Sequence, residues 1–133
     1  MTWWDAYIAA WNSHDPESLA NCYLPEGIHI GASGVKREGR AALIDYARGF
    51  AERFSSDHHA VTISFVEDGE RFASEWEWRG TFDGDNPRWG PANGRAWDIR
   101  GASLGTLEDG RIREIRDYWD THRFYAQIEF VPR

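Results

Sequence analysis

The sequence predicts an α+β domain in which helices near the N-terminus cover one face of a curved sheet. In the first part of the chain, apolar residues recur at three- and four-residue steps, which is typical of amphipathic helices. After residue 57 the period changes to two, and short turn sequences separate the apolar runs, which indicates antiparallel strands. Helices followed by a run of strands favour the α+β class. At 133 residues, the chain is expected to form a single domain over residues 1–133.

Two helices are predicted first. One wide apolar face is formed by Trp3, Trp4, Tyr7, Ile8 and Trp11, and residues 12–14 end that helix. Asp15 is suited to cap the next helix, with Pro16 in its first turn. Its apolar side is expected to comprise Leu19, Cys22 and Tyr23, and residues 25–27 should end it.

A short strand is predicted at residues 27–30, followed by a glycine-rich loop that runs through Gly34. A third helix is expected from about residue 38 to residue 54. Its apolar stripe consists of Leu43, Tyr46, Ala47, Phe50 and Phe54.

Four strands joined largely by hairpins should make up the second half. They are predicted at residues 61–66, 71–82, 95–107 and 111–119. Residues 68–69 and 108–110 contain turn sequences, and residues 83–94 hold three glycines and two prolines, which predicts a loop. The tail, residues 121–130, is expected to form a short helix.

Composition excludes several classes of function. A net charge of −7 disfavours nucleic acid as a partner. No apolar run has the roughly 18–20 residues of a membrane span, and the N-terminus lacks a signal sequence, so we expect a cytoplasmic protein without a membrane partner. The eight Trp, five Tyr and seven Phe predict either a core of large side chains or a cavity walled by rings for a hydrophobic small molecule.

Motifs for metals, nucleotides and activated nucleophiles are lacking. The sequence contains no GxSxG, HExxH or CxxC motif and no dinucleotide fingerprint. His58 and His59 are adjacent on an expected strand and should point to opposite faces, so they cannot share a metal. We therefore expect no metal and no cofactor. Carboxylates, histidines and rings remain, which suit cofactor-free proton transfer.

The last strand contains the best candidate acid. Alternation places Asp117 on the same face as Ile115 and Trp119, which indicates a carboxylate on a buried face. Such a group is either paired with an arginine or acts as a pocket acid or base. Asp120 lies where a strand ends and is better read as a helix N-cap. His29, between Ile28 and Ile30, could pair with Asp117 as an acid/base partner, or be an ordinary surface or hydrogen-bonded histidine.

Several strings together resemble one family. They are residues 10–12 (AWN), 39–43 (GRAAL), 76–84 (WEWRGTFDG), 91–95 (PANGR), 109–112 (DGRI) and 116–120 (RDYWD), with Gln127 after them. Their order resembles the SnoaL-like polyketide cyclases, within the superfamily of nuclear transport factor 2 and ketosteroid isomerase. The resemblance covers nearly the whole chain. It implies a cone-shaped barrel of strongly curved mixed or antiparallel sheet around three N-terminal helices, and a homodimer.

The resemblance also implies roles for particular residues. In the cyclases, the Asp of an Arg-Asp-aromatic string on the final strand is the acid/base catalyst, and this position corresponds to Asp117. His29 corresponds to a polar pocket residue on the first strand, and Trp11 to an aromatic pocket residue. The cyclases carry a His on the penultimate strand where this chain has Ser103.

We therefore expect a cofactor-free acid/base enzyme, of cyclase, isomerase or dehydratase type, that acts on a hydrophobic small molecule. Asp117 and His29 are the expected catalytic residues. The expected substrate-binding residues are Tyr7, Trp11, Phe50, Phe54, Trp76, Trp78, Trp97, Ser103, Ile115 and Trp119. If the strand at residues 71–82 were turned over, Glu75 and Glu77 would enter the pocket instead of Trp76 and Trp78. An epoxide hydrolase, a binding protein and a dimerisation module without catalysis are the alternatives.

Overall fold

The computed structural model describes residues 2–130, which form four helices and six strands. The helices are α1 (Trp3–Ser13), α2 (Pro16–Ala20), α3 (Arg40–Arg53) and α4 (Thr121–Ile128). The strands are β1 (Tyr23–Ile30), β2 (Lys36–Glu38), β3 (His59–Asp68), β4 (Arg71–Thr81), β5 (Ala96–Glu108) and β6 (Arg111–Trp119).

The six strands form one open, curved sheet in the order β2-β1-β6-β5-β4-β3. β1 runs parallel to β6, and every other neighbouring pair is antiparallel. Helices α1, α3 and α4 contact strands of this sheet, and the core lies between them and its inner face. The predicted α+β fold with a curved mixed sheet is confirmed.

Helix α1 is fixed at both ends by hydrogen bonds. At its start, Thr2 and Asp5 form a reciprocal capping box that satisfies free N–H groups of the first turn. Near its end, the Asn12 amide accepts from the backbone N–H of Ala60 at 2.7 Å and donates to the Ala60 carbonyl at 2.9 Å. This amide therefore pairs with β3 much as a neighbouring strand would, and it holds α1 over the sheet.

The predicted extent of the second helix, through Cys22 and Tyr23, is wrong. We expected Tyr23 on the second helix, but α2 ends at Ala20 and Tyr23 begins β1, where it pairs with Ile112 of β6. The pairing register shifts between Tyr23 and Ile28, and this irregularity accommodates Pro25, which has no N–H to donate. Leu19 and Tyr23 are four residues apart, so helical periodicity alone could not separate the two elements.

Strand β2 was not predicted. Residues 36 and 37 were assigned to no element and residue 38 to the start of the third helix, but residues 36–38 pair antiparallel with residues 28–30 of β1. The strand contains three charged residues, so it has no apolar alternation to reveal it. Charged side chains on a short edge strand also discourage pairing with another sheet.

Strand β4 presents its tryptophans to the core. Trp76 and Trp78 are buried, whereas Glu75 is exposed and Glu77 pairs with Arg79 and Arg100 on the outer face. The strand is therefore not turned over, and its glutamates point away from the helices. Outside the core, Val61, Ile63, Val66, Leu104 and Tyr118 are exposed on strands of the sheet.

No helix within the described residues 2–130 is long and apolar enough to cross a membrane.

A buried histidine lies where the chain enters β3. His58 stacks on His14 with ring centroids 4.2 Å apart, and its ring lies 4.8 Å from the rings of both Trp11 and Phe50. Burial, and to a lesser degree the proximity of His14, lowers the pKa of His58 to about 3. The folded protein therefore holds this imidazole neutral, while its neighbour His59 is exposed.

This burial should make stability depend on pH. Between the unfolded pKa of 6.5 and the folded value of about 3, the unfolded chain binds a proton that the folded chain does not. The free energy of unfolding should therefore fall with decreasing pH, with a contribution from His58 of up to about 1.4 kcal/mol per pH unit. Urea unfolding at several pH values should give a flatter pH profile for His58→Gln than for His59→Gln. Equal slopes for the two variants would contradict this account.

Candidate active site

A cavity of about 340 Å³ lies between the inner face of the sheet and helices α1, α3 and α4. This volume is within the range of small-molecule binding sites. Aromatic rings from the sheet, the helices and a loop contribute to its wall. They belong to Trp4, Tyr7, Trp11, Tyr46, Phe50, Phe54, Trp76, Trp78, Trp89, Trp119, Phe124 and Tyr125.

Asp117 brings a carboxylate to this wall. In the antiparallel pairing of β5 and β6, Ser103 lies directly opposite Asp117, and the Ser103 hydroxyl is 2.7 Å from Oδ1. On the other side of β6, the parallel strand β1 places His29 Nε2 at 2.8 Å from Oδ2. The Asp117 side chain keeps 16% of its surface exposed, against 2% for His29, so the carboxylate is the more accessible member of the pair.

Trp76 extends this chain of hydrogen bonds and determines its direction. The indole N–H can only donate, and it lies 2.9 Å from Ser103 Oγ. Ser103 therefore accepts from Trp76 and uses its own hydrogen to donate to Asp117. Because both carboxylate oxygens accept, the network assigns a hydrogen to Nε2 of His29, the nitrogen that faces Asp117. We call these four side chains, Trp76, Ser103, Asp117 and His29, the Asp117 relay.

Two glycines allow the tryptophans to lie flat on the sheet. A Cβ atom at Gly101 would be 2.5 Å from the Trp76 ring, and one at Gly80 would be 2.5 Å from the Trp97 ring. The indole of Trp76 therefore reaches Ser103 because it lies across Gly101, its partner in β5. A side chain at this position would exclude the observed ring orientation.

His29 is held by aromatic packing as well as by Asp117. Its ring stacks on Tyr46 with centroids 4.7 Å apart, and the Arg37 guanidinium lies 4.0 Å from the centre of the same Tyr46 ring. Its Nδ1 atom is buried and has no hydrogen-bond partner among the described residues. These contacts fix the orientation of the imidazole whose Nε2–H group donates a hydrogen bond to Asp117.

Three tyrosines around the relay are kept in the neutral form. The hydroxyls of Tyr7 and Tyr23 are 3.0 Å apart in the core. Burial raises the pKa of Tyr7 and Tyr23 well above the usual value, and the nearby charge of Asp117 raises both further. Burial, and again the charge of Asp117, raises the pKa of Tyr46. Each phenol therefore remains a hydrogen-bond donor at neutral pH, and Tyr7 and Tyr46 line the cavity.

Most residues expected at the site do line the cavity. The structure places Asp117 and His29 there, together with Tyr7, Trp11, Phe50, Phe54, Trp76, Trp78, Ser103 and Trp119. Their roles in binding or catalysis stay predictions. Asp120, expected to be a helix cap, accepts from the backbone N–H of Arg123 at the start of α4.

Two expected binding residues do not line the cavity. Ile115 shares the inner face of β6 with Asp117 but is completely buried in the core, beside His29 in the strand pairing. Trp97 lies across Gly80 and is enclosed by other rings, including Trp78 and Phe124. Both were correctly expected to face inward. Alternation predicts which face of a strand a side chain lies on, but it does not predict whether other side chains cover it and separate it from the cavity.

Sequence reasoning missed part of the wall. Tyr46 lies on the predicted stripe of α3, so its signal was present, but it was not selected. Trp89 lies in the loop between β4 and β5, where no periodicity marks an inward side chain. The charged residues of the wall, Arg37, Arg53, Arg88 and Asp45, were not expected in an aromatic pocket.

No group of three or more His, Cys, Asp or Glu side chains that could hold a metal ion occurs within the part of the chain that the structure describes.

Comparison with known proteins places the chain in a family. The sequence profile of the SnoaL-like domain matches residues 4–115. No curated protein sequence matches the chain.

Solved structures share the fold over almost the full length. A candidate polyketide cyclase from Xanthomonas campestris pv. campestris has a TM-score of 0.86 at 20% identity, covering 95% of this chain and 93% of that one. A Catenulispora acidiphila protein of ketosteroid isomerase-like fold, in complex with trimethylamine, has a TM-score of 0.84 at 19% identity, covering 98% and 96%. For IdmH, a candidate polyketide cyclase from Streptomyces antibioticus, the TM-score is 0.78 at 23% identity, covering 96% of each chain. At these identities the similarity concerns the fold.

Filling the space at Gly101 should disrupt the relay. In Gly101→Ala the new methyl group would overlap the Trp76 ring, so we expect a loss of about 1–3 kcal/mol of stability and a displaced indole. Gly31→Ala is the control, because a Cβ atom there meets its nearest neighbour at 3.5 Å. Urea unfolding measures the stability of each variant, and a crystal structure shows the position of Trp76. A Gly101→Ala variant as stable as Gly31→Ala, with Trp76 unmoved, would contradict this account.

Proposed function

Because the chain belongs to the SnoaL-like domain family, we propose that it is a cofactor-free acid/base enzyme of cyclase, isomerase or dehydratase type. Its fold is that of candidate polyketide cyclases, which supports an enzyme of this general kind. The observation that carries the proposal is the Asp117 carboxylate, hydrogen-bonded to His29 and Ser103 on the wall of an aromatic cavity. The substrate would be a hydrophobic small molecule containing a carbonyl group.

In the proposed reaction, Asp117 removes a proton from the carbon next to the substrate carbonyl. The C–H bond breaks, its electron pair moves into the carbonyl group to form an enolate, and Asp117 becomes a carboxylic acid. In an isomerisation the proton returns to another carbon of the same molecule. In a cyclisation the enolate carbon attacks a second carbonyl, and the resulting alkoxide takes the proton. Neither route needs an oxidant or a second reactant.

The surrounding groups would position the base and stabilise the enolate. Ser103 and His29 each donate to one oxygen of Asp117, so the carboxylate has a fixed orientation before substrate enters. We assign Tyr7 as the donor to the enolate oxygen, since its hydroxyl is protonated and can itself accept from Tyr23. Preorganised donors of this kind act most strongly where water is excluded.

The orientation of β4 favours this chemistry over epoxide hydrolysis. For an epoxide hydrolase, the resemblance to limonene-epoxide-hydrolase-like members implies an Arg-x-Asp pair on the long middle strand, at the place of β4. Here Glu75 is exposed and Glu77 is engaged by arginines of the outer face, so neither reaches the cavity. Within residues 2–130, the carboxylates that line the cavity are those of Asp45 and Asp117.

Ligand binding without turnover is the alternative for the same cavity. The Catenulispora acidiphila protein is in complex with trimethylamine, so a protein of this fold can bind a small ligand. A binding protein would not need Asp117 to exchange protons with its ligand. Proton exchange therefore separates the two functions.

Carbon-bound deuterium exchange tests the proposed function without knowledge of the substrate. 2-Tetralone is a bicyclic ketone with acidic protons next to its carbonyl, and proton NMR in D₂O reports their loss. We expect the protein to accelerate exchange above the buffer rate, and Asp117→Asn to lower the enzymatic rate by about 10²-fold, the usual contribution of a general base.

The control for this variant is Asp98→Asn, the same chemical change at an exposed carboxylate of β5 that does not line the cavity. It should exchange 2-tetralone at the wild-type rate. Tryptophan fluorescence quenching verifies that the ketone occupies the cavity in each variant. Occupancy without exchange above buffer, or equal rates for the two variants, would contradict the enzyme and favour the binding protein.

We also propose that the outer face of the sheet joins two copies of the chain. Val61, Val66, Leu104 and Tyr118 expose apolar surface there, on β3, β5 and β6. A second copy would remove these side chains from water.

Sedimentation velocity tests the proposed dimer. We expect wild-type protein to sediment as a dimer and Val66→Lys to sediment as a monomer, because a charge would be buried in the interface. Val35→Lys introduces the same change at an exposed valine in the loop before β2 and should remain dimeric. A monomeric wild-type protein, or a dimeric Val66→Lys variant, would contradict this interface.

A further inference from the structure

We propose that the molecule bound in the cavity carries a carboxylate, and that Arg37, Arg53 and Arg88 bind it at the cavity mouth. This inference rests on the proposed function in that it takes the aromatic cavity as the substrate site. It adds the substrate class, which is an apolar ring system with an anionic end. We call the three arginines the arginine rim.

All three arginines line the same cavity. Arg53 and Arg88 are exposed and Arg37 is half-buried, whereas His29, Trp76 and Ser103 are buried at the inner end. The guanidinium groups of Arg53 and Arg88 therefore lie where the cavity meets solvent, and Arg37 is the innermost of the three, since it contacts the same Tyr46 ring as His29. A carboxylate bound there would keep part of its hydration while its apolar portion enters the cavity.

Each guanidinium packs against an aromatic ring or a glycine. Arg37 lies 4.0 Å from the centre of the Tyr46 ring, and Arg88 lies 4.9 Å from that of Trp89. The guanidinium of Arg53 lies over Gly49, in the space that a Cβ atom would occupy. Stacking on a ring leaves the N–H groups at the edge of a guanidinium free to donate.

None of the three arginines forms an ion pair with a carboxylate among residues 2–130. Other arginines of the chain do so: Arg79, Arg95, Arg100, Arg113 and Arg116 each have an acidic partner. The rim therefore retains donors in the fork geometry that matches a carboxylate with two parallel hydrogen bonds.

The charge of the rim opposes that of the protein. The chain carries a net charge of −7, yet the cavity wall has three arginines and two aspartates. Asp117 is engaged by Ser103 and His29, and Asp45 is the exposed acidic residue of the wall. An aromatic cavity containing a carboxylate would otherwise suit an ammonium ligand, but the three arginines at the mouth disfavour a cation.

The rim also implies an orientation for the substrate. If the carboxylate is bound at the mouth, the rings extend along the tryptophans of the wall, and the opposite end of the molecule reaches the Asp117 relay. Contacts with the arginine rim would thus supply binding energy that places the reacting carbon of the substrate next to Asp117.

Three probes with the same ring system test the charge preference. These are 1-naphthaleneacetate, the neutral 1-naphthaleneacetamide and the cationic 1-naphthylmethylammonium, with affinities measured by isothermal titration calorimetry. We expect the acetate to bind about 10-fold tighter than the amide, because a hydrogen bond to a charged group contributes more than a neutral one, and the ammonium to bind weakest. The advantage of the acetate should shrink at high salt, because exposed charges are screened.

Arg53→Gln/Arg88→Gln removes two exposed members of the rim without altering the core. We expect this double variant to lose most of the preference for the acetate over the amide, while the affinity for the amide changes little. Arg111→Gln is the control, since Arg111 is exposed and lies outside the cavity wall, and it should keep the full preference.

The outcomes separate this proposal from the proposed function. Equal affinity for acetate and amide, tighter binding of the ammonium, or an unchanged preference in the double variant would overturn the arginine rim, even where 2-tetralone exchange persists. Failure of all three probes to bind would overturn it as well. A clear preference for the acetate, lost in the double variant, would support the rim even if the exchange test contradicted catalysis.

Discussion

The hydrogen bonds from Ser103 and His29 to Asp117 determine how the inner face of the sheet is arranged, because a carboxylate removed from water must be given donors in its place. Those donors come from the two strands that flank β6. β5 supplies Ser103 directly opposite Asp117, and the parallel pairing of β1 with β6 supplies His29 from the other side. A shift of either register by one residue would turn the donor to the outer face. The α+β topology, with a parallel strand inserted beside an antiparallel meander, is therefore what makes the pair geometrically feasible.

The aromatic residues serve both the core and the cavity. Trp76 packs flat across Gly101, and this position brings its N–H to Ser103. The same side chain therefore forms part of the cavity wall and orients the hydroxyl of Ser103 in the Asp117 relay. Tyr46 stacks on His29 and supports Arg37 through the same ring. Burial and the charge of Asp117 raise the pKa of the neighbouring tyrosines, which leaves neutral donors around an anionic base. A base fixed in orientation and neutral donors beside an aromatic wall suit acid/base chemistry on a carbonyl compound.

Features with a periodic or capping signal could be predicted from the sequence. The helices α1 and α3, the hairpin strands and the inward face of Trp76 and Trp78 follow from alternation and helical steps, and the structure confirms them. Asp117 was selected because a carboxylate stood between apolar neighbours on one face, and it does lie on the cavity wall.

The predictions that failed concern features that depend on contacts between distant segments of the chain. The sequence around Tyr23 is compatible with a helix or a strand, and only its pairing with Ile112 decides between them. Ile115 faces inward, but it is buried in the core and does not reach the cavity. The arginine rim has no local signal, because Arg37 of β2, Arg53 of α3 and Arg88 of the loop between β4 and β5 come to one cavity only in the folded chain.

A crystal structure of the protein with 2-naphthol tests the central claim most directly. This planar molecule has the shape of the enol form of 2-tetralone, so it represents the intermediate that the Asp117 relay is proposed to form. The account predicts that its rings lie against the tryptophans of the cavity wall, with the carbon next to its hydroxyl facing the Asp117 carboxylate and the hydroxyl about 2.7 Å from a tyrosine oxygen. Binding of 2-naphthol outside the cavity, or in it with the reacting carbon turned away from Asp117, would contradict the account.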